Sequence, residues 1–279
     1  MIWRKFMTGC QPLAGLLDAI GKDLQSTPDT QTPAIKGLAT GIEELDCLAT
    51  GLRAGSLTII GGRPAMGCTW LALSIARKIA LEQGKSVAIF SLDFDGEQAA
   101  RRILLGTSEL DRPRDHRMVE AKNEPSDATL ERLRNAPIFI DATASNLAEI
   151  RASIQVLIGS GVLPDLVVID DLQMLASTHS VKRTRTVVRN IKSLAQEIAV
   201  PVMVTTKLSR RIEKRRNKRP ALIDLPEGVI TGGADLVMTI FREEVYSPET
   251  PRKGVAEICV MRNRFGRVGM LELCFRRGE

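Results

Sequence analysis

This sequence predicts an α/β domain, a mostly parallel sheet with helices on both faces, on three observations. Short apolar runs alternate with helix-periodic stretches along most of the chain, the pattern of parallel strands joined by helical crossovers. One run, Leu57-Thr58-Ile59-Ile60, passes directly into the glycine-rich turn Gly61 to Thr69 and then into a helix. Another, Leu166-Val167-Val168-Ile169, ends in Asp170 and Asp171, as a buried parallel strand does when it delivers a carboxylate to the carboxyl edge of a sheet.

The elements follow in order. Leu13, Leu16, Leu17, Ile20 and Leu24 recur at helical spacing, and Ser26 to Pro33 reads as an extended tether. A single amphipathic helix needs a groove to cover its stripe, either on this domain or on a neighbouring subunit. Residues 35–56 read as a cap-and-turn region. After the glycine-rich turn, Leu71, Ile75, Ile79 and Ala80 support a helix to about Gln83, and Lys85 to Leu92 reads as a buried strand ending in Asp93. A helix from Gly96 to Leu105, a polar excursion from Thr107 to Asp127, a strand at Ile138–Asp141 and a helix from Leu147 to Ile158 come next. Strand 163–170, helix 187–199 and strands 202–205 and 236–241 follow, with a strand pair near 255–261 and 268–275 closing the chain. Met203, Met238 and Met261 read as core.

At 279 residues the chain has room for one large domain, residues 35–279, and a short N-terminal appendage, residues 1–34. No apolar run is long enough to cross a bilayer and Met1 to Lys5 does not begin a signal peptide, so a cytoplasmic, membrane-free protein is expected. Five scattered cysteines suggest neither a disulfide framework nor a zinc site, and His116 and His179 have no partner ligand near in sequence. A net charge of +6 and a pI near 9.2 admit an anionic partner, with the position of the charge deciding.

The turn carries the first chemistry. In the pattern G-x-x-x-x-G-K-[ST], backbone amides wrap phosphates, a Lys neutralises them and a hydroxyl reaches Mg²⁺. Gly62, Gly67 and Thr69 fall on this pattern, while Cys68 occupies the Lys position. Taken alone, such a turn is equally a tight structural connection. The Asp170 strand, about a hundred residues on and read as an adjacent parallel strand, supplies the carboxylate that would hold Mg²⁺ through its water shell, and the pair favours nucleotide binding. Asp95, Glu97 and Asp171, near the same edge, read as solvated carboxylates, with substitution for Asp93 as the alternative.

Several stretches in order carry a family resemblance: Thr40 to Asp46, the Arg63-Pro64-Ala65-Met66-Gly67 turn, Val87 to Asp93, Val168 to Gln173, Leu208-Ser209-Arg210, Lys218-Arg219-Pro220, Ala234-Asp235, and Arg262-Asn263-Arg264-Phe265-Gly266. From about Ile35 onward the sequence resembles the C-terminal RecA-like motor domain of bacterial replicative helicases of the DnaB type. The resemblance implies a RecA-like fold and a homo-oligomeric ring, usually of six subunits, with ATP and Mg²⁺ bound between subunits. It implies cofactor contacts from Gly62, Arg63, Pro64, Ala65, Met66, Gly67, Cys68, Thr69, Asp170 and Gln173, with Thr69 and Asp170 on the metal. It assigns Asp93 to positioning water, and Arg262 and Arg264 to the neighbouring subunit's nucleotide, Arg264 as the finger. Residues 11–34 resemble the family's linker helix and tether, and its N-terminal primase-binding domain has no counterpart in the sequence.

Three departures from the family pattern touch chemistry. Cys68 stands for Lys, Asp93 for a longer Glu, and Lys207 for a phosphate-sensing Gln. Either Lys207 relocates the lost charge and acts in catalysis, or the site has decayed around an exposed lysine. Two basic segments, with Lys182, Arg183 and Arg185 in one and Arg210, Arg211, Lys214, Arg215 and Arg216 in the other, match the family's central-channel loops. Neither contains an aromatic residue, so contacts would go to the phosphates of single-stranded DNA. The sequence therefore carries two functional readings, an ATP-driven DNA helicase and a hydrolysis-poor paralogue that loads, caps or regulates a full-length helicase or other replication proteins. A recombination or clock-type ATPase of the same fold is disfavoured by the Arg-Pro turn.

Overall fold

The computed structural model describes residues 35–106, 127–176 and 180–275. The expected N-terminal helix, His116, His179 and most of the 107–127 excursion lie outside the described residues. Strands β1 (Leu57–Gly62), β2 (Val87–Ser91), β3 (Ile138–Asp141), β4 (Leu166–Asp170), β5 (Val202–Lys207), β6 (Leu236–Phe241), β7 (Val255–Asn263) and β8 (Gly269–Cys274) form one sheet in the order β3-β2-β4-β5-β1-β6-β7-β8. The first six in that order run parallel; β7 and β8 are antiparallel.

Helices α1 (Glu43–Ala49), α2 (Cys68–Gln83), α3 (Gly96–Leu105), α4 (Asp127–Arg134), α5 (Leu147–Gly159), α6 (Leu172–Ala176) and α7 (Val181–Ile198) connect and cover the strands. The central strands are apolar on both faces because both are covered. Ile60, Ile89, Val168, Met203 and Met238 pack in one core with Ile75 and Ile79 of α2. Their sequence neighbours Ile59, Phe90, Ile169, Val204 and Val237 point the other way, toward Ile150 and Ile154 of α5 and Val188 and Ile191 of α7. The ends are set locally: Asp95 caps α3 by accepting from the Gln98 amide at 2.8 Å, Asn146 caps α5, and Gly84 closes α2 with φ +62°.

Three expectations are corrected. β1 and β4 are not neighbours, because β5 lies between them, so Thr205 and Lys207 stand between the glycine-rich turn and Asp170. The helix expected at 187–199 begins at Val181, which places Lys182, Arg183 and Arg185 on its first turns rather than in a loop. The cap-and-turn region contains a helix, α1, whose Asp46 accepts from the amides of Thr40 at 2.8 Å and Gly41 at 3.2 Å. Met203 and Met238 are buried core, and Met261 is half-buried on β7.

Candidate functional site

The carboxyl ends of β1, β2, β4 and β5 converge on a cleft of about 400 Å³, a size suited to a small ligand. β1 runs into the glycine-rich turn, and Gly67, at φ +104°, redirects the chain into α2, whose first turn no side chain caps. A helix start of this kind presents amides to an anion. A Cβ on Gly67 would lie 2.6 Å from the Phe275 ring, and one on Gly62 would lie 2.5 Å from Cys68 Sγ. Gly67 is therefore dictated by its backbone as well as by the closeness of the ring, and Gly62 by the closeness of the turn alone.

Thr69 and Asp170 meet in the cleft: Thr69 Oγ1 donates to Asp170 Oδ2 at 2.9 Å, and the Thr205 hydroxyl donates to Oδ1. Asp170 is 5% exposed. Burial raises its pKa, with the two hydroxyls opposing the shift and the Asp171 charge adding to it. A hydroxyl and a carboxylate side by side are hard oxygen donors of the kind Mg²⁺ takes, with its remaining ligands from water and phosphate. The residues present fit a magnesium-bound nucleotide. Asp170→Asn removes a buried charge that folding disfavours, so the protein is expected to gain about 1 kcal/mol of stability in a chemical melt. A raised carboxylate pKa binds more protons folded than unfolded, so this gain is largest above the raised pKa and vanishes as pH falls below 3.8.

Lys207 enters from the end of β5. Its Nζ lies 2.9 Å from Asp171 Oδ2 and 3.7 Å from Asp93 Oδ2. The bond to Asp171 raises the Lys207 pKa against the opposing effect of burial, keeping the ammonium charged. Asp171 is buried rather than solvated, and it also accepts from the amides of Gln173 and Met174. The Cys68 thiol is pushed up to about 12, first by burial and then by the Asp170 charge. It is a neutral group where the pattern has a cation. The cations lining the cleft are instead Arg63, Lys207, Arg102 of α3 and Arg242, which follows β6 and whose Nε donates to Glu244 Oε1 at 2.9 Å. Arg102 stacks on Phe94 at 3.8 Å, and Arg242 stacks on Phe275 at 3.6 Å while its Nη1 donates to the Ala65 carbonyl at 3.1 Å. Neither arginine stands in a sequence pattern that marks it; only the strand order brings them here.

Pro64, Ala65, Gly67, Cys68 and Thr69 line the cleft with Asp93, Asp170 and Lys207. Met66 is buried beneath the turn, where its sulfur accepts from the Arg242 amide at 3.2 Å. Gln173 is spent on β5: Nε2 donates to Thr206 Oγ1 and the Lys207 carbonyl, both at 2.9 Å, and Oε1 accepts from the Lys207 amide at 3.1 Å. Arg63 borders the cleft, yet its side-chain hydrogen bonds run to the Leu208 carbonyl and Glu213.

Arg262 and Arg264 lie at the opposite edge. The Arg264 amide donates to the Asp235 carbonyl at 3.0 Å, and its Nη1 is 3.4 Å from Asp235 Oδ1. Asp235 also accepts from the Leu57 amide at 2.9 Å and pairs with Lys192 at 2.6 Å. Leu57 starts the strand that ends in the glycine-rich turn, so Arg264 sits about 20 Å from its own turn, the length of a six-residue strand.

A groove of about 1000 Å³ is lined by Val181 and Thr184 of α7 and by Leu208 to Arg211; of the basic residues expected to meet DNA, Arg210 and Arg211 line it. Lys182, Arg183, Arg185, Arg210, Arg211, Lys214 and Arg216 are exposed. Arg215 turns inward to Asp224 at 2.5 Å and to the Arg219 carbonyl at 3.1 Å. Lys192, further along α7, is likewise committed to Asp235 and the Gly55 carbonyl. Among the described residues no helix is long and apolar enough to cross a membrane.

Comparison with known proteins gives a consistent picture. A family model, "DnaB-like helicase C terminal domain", matches residues 37–278. The replicative DNA helicase DnaB of Geobacillus stearothermophilus is 34% identical over 253 residues, and DnaC of Bacillus subtilis is 34% identical over 250. Each alignment covers 86% of this chain and 55% of the relative, so the chain spans about half the length of these curated relatives. One solved structure, titled as an ATPase domain, superposes with a TM-score of 0.82 at 24% identity over 96% of both chains. A solved DnaB-like replicative helicase, titled with its interactions with primase, gives 0.81 at 24% identity, over 95% of this chain and 66% of that one. At that identity the two structures establish the RecA-like fold.

Proposed function

Since the chain belongs to the DnaB-like helicase C-terminal domain family, we propose that it is an ATP-dependent DNA-translocating motor domain. It works in a homo-oligomeric ring of the hexameric helicase type, with single-stranded DNA in the central channel. The observation that carries this reading is the meeting of Thr69 and Asp170 at 2.9 Å beneath the amides of the glycine-rich turn. Residues 35–279 form the motor and residues 1–34 the linker helix and tether.

The roles follow from placement. The turn amides between Gly62 and Thr69, Pro64 having none, would bind the phosphates, and Thr69 and Asp170 would hold Mg²⁺, which would supply charge neutralisation there. Asp93 positions the attacking water, and Lys207 and Arg102 supply positive charge, with Arg242 shared with Glu244. Arg264, with Arg262 beside it, serves the nucleotide of the next subunit. Its place about 20 Å from its own turn supports delivery in trans. The second reading, a hydrolysis-poor regulatory or loading subunit acting with a full-length helicase or other replication proteins, draws on one observation, the neutral Cys68 thiol in the cleft.

ATP turnover with and without single-stranded DNA, beside Asp170→Ala, separates them. DNA-stimulated turnover that disappears in Asp170→Ala supports the motor; nucleotide binding without turnover above that control supports the regulatory subunit. For the groove, log Kd for an oligonucleotide against log salt is expected to lose about 0.7 of slope for each of Arg211→Ala and Lys214→Ala. Arg215→Ala should leave the slope unchanged and lower stability by about 1–2 kcal/mol, because buried Asp224 loses its counter-ion and keeps the Ala221 amide at 2.7 Å, while the partner removed is itself about a third exposed.

A further inference from the structure

Arg63, Pro64 and Lys207 are the residues common to the cleft and the basic groove; they form the wall between the two. Lys207 belongs to β5, which pairs in register with β1 from Leu57↔Val202 to Gly62↔Lys207 and so moves with it. Arg63 is different. It sits in the glycine-rich turn, and its side chain, 11% exposed, crosses the wall. Nη1 donates to the Leu208 carbonyl at 2.8 Å, and Nε and Nη2 both donate to Glu213 Oε1, at 2.9 and 2.6 Å.

Glu213 is the acid inside the short 3₁₀ helix Arg210–Lys214, which carries Arg210, Arg211 and Lys214. That helix is also held by Ile212, which is fully buried, by the Ser209 cap to the Arg211 amide at 3.3 Å and by the Ser209 amide, which donates to the Asp224 carbonyl at 2.7 Å. A segment this short has little stability of its own. Its orientation is set by what its side chains and its ends grip: Arg215, at its C-terminal end, holds Asp224, and Glu213 holds the turn.

From this wall we infer that the Arg63–Glu213 pair is the positioning link through which occupancy of the cleft sets the affinity of the Arg210–Lys214 segment for single-stranded DNA. Arg63 does not contact phosphate in this role; it transmits the position of the turn. When phosphates draw the turn amides together, the guanidinium fork carries Glu213, and with it the three cations, toward or away from the groove. Two sites whose ligands bias the same element are coupled, and each ligand changes the affinity of the other by the same factor. The link rests on the reading of the cleft as a nucleotide site and of the groove as a DNA site.

The test measures Kd for a labelled oligo-dT with and without a non-hydrolysable ATP analogue and Mg²⁺, and takes the ratio as the coupling factor. For the native chain a factor of at least about fivefold is expected, within the usual range for coupled sites. Glu213→Gln, an isosteric change on an exposed acid, and Arg63→Lys, which keeps the charge but loses the fork, should each bring the factor within about twofold of unity. The double variant should be no worse than either single. Glu213→Gln should leave the analogue's own affinity and the analogue-free DNA affinity within about twofold of native, which a damaged fold would not. A coupling factor unchanged in Glu213→Gln overturns the link, as does a native factor near one when both ligands bind. A native chain that binds neither analogue nor oligonucleotide overturns the functional reading itself.

Discussion

Cys68→Lys is expected to raise ATP turnover by about 10²–10³-fold. The position directly follows φ-positive Gly67, at the start of α2, and the Asp170 and Asp171 carboxylates are both close enough to push the Cys68 thiol upward. A cation introduced there enters a field that already favours it. Against a phosphate at about 4 Å, a unit charge is worth about 4 kcal/mol at an effective dielectric near 20, and about 1.4 kcal/mol is a decade in rate. The full sum would be nearly three decades, reduced to the extent that Lys207, Arg102 and Arg242 already supply the charge. The thiol sits against Gly62, so the longer side chain must run along the open cleft, where there is room for it. Steady-state turnover with DNA, repeated in an Asp170→Ala background, checks the gain. A rate that stays at the native level would place the limit at Asp93, whose carboxylate is one methylene short of the family's Glu; a misplacement near 1 Å costs about 10²-fold.

Where the sequence succeeded, the signal was one that burial imposes directly. Strand Leu236–Phe241 matches its expected bounds because a strand covered on both faces must be apolar throughout, and the half-buried edge strand Ile138–Asp141 matches through its own short apolar run. The start of α7 escaped because its buried stripe runs Thr184, Val188, Ile191, Leu194, and a buried threonine reads as polar in a periodicity count. The cleft was half legible. Gly62, Gly67, Thr69 and Asp170 are tied to local geometry and announce themselves, whereas Arg102 and Arg242 contribute through strand order, which sequence does not encode locally. Asp171 was misread for the same reason, since nothing near it in the chain reveals that β5 will bring Lys207 alongside. Arg63 and Gln173 stand in the expected motifs but turn away to the backbone of the β5 strand and its continuation, a choice made by neighbours 145 and 34 residues away.

Lys207→Ala is expected to weaken ATP binding by about 10²-fold or more and to cost about 1–2 kcal/mol of stability. The two effects have separate origins. Asp171 is 4% exposed, and without Lys207 it keeps the Gln173 and Met174 amides as donors but loses its counter-ion. That loss would be larger for a fully buried pair; the lysine is 47% exposed, so solvent screens much of it. Binding falls because three carboxylates, Asp93, Asp170 and Asp171, then face the triphosphate with one cation fewer. The raised Lys207 pKa lies above the ordinary 10.5, so its contribution is complete below that value and disappears only as pH rises through the raised one. ATP affinity attributable to Lys207 should therefore be flat between about pH 6 and 9, and isothermal titration across that range checks it. Lys207→Arg keeps the charge and should retain most of the binding. The decisive comparison is Cys68→Lys combined with Lys207→Gln, which puts the positive charge back at the start of α2 and a neutral amide at the end of β5. If Lys207 carries the displaced charge, this double variant recovers the affinity that Lys207→Gln alone loses, whereas affinity in Lys207→Gln equal to native would mean that Arg102 and Arg242 suffice and Lys207 is a counter-ion for Asp171.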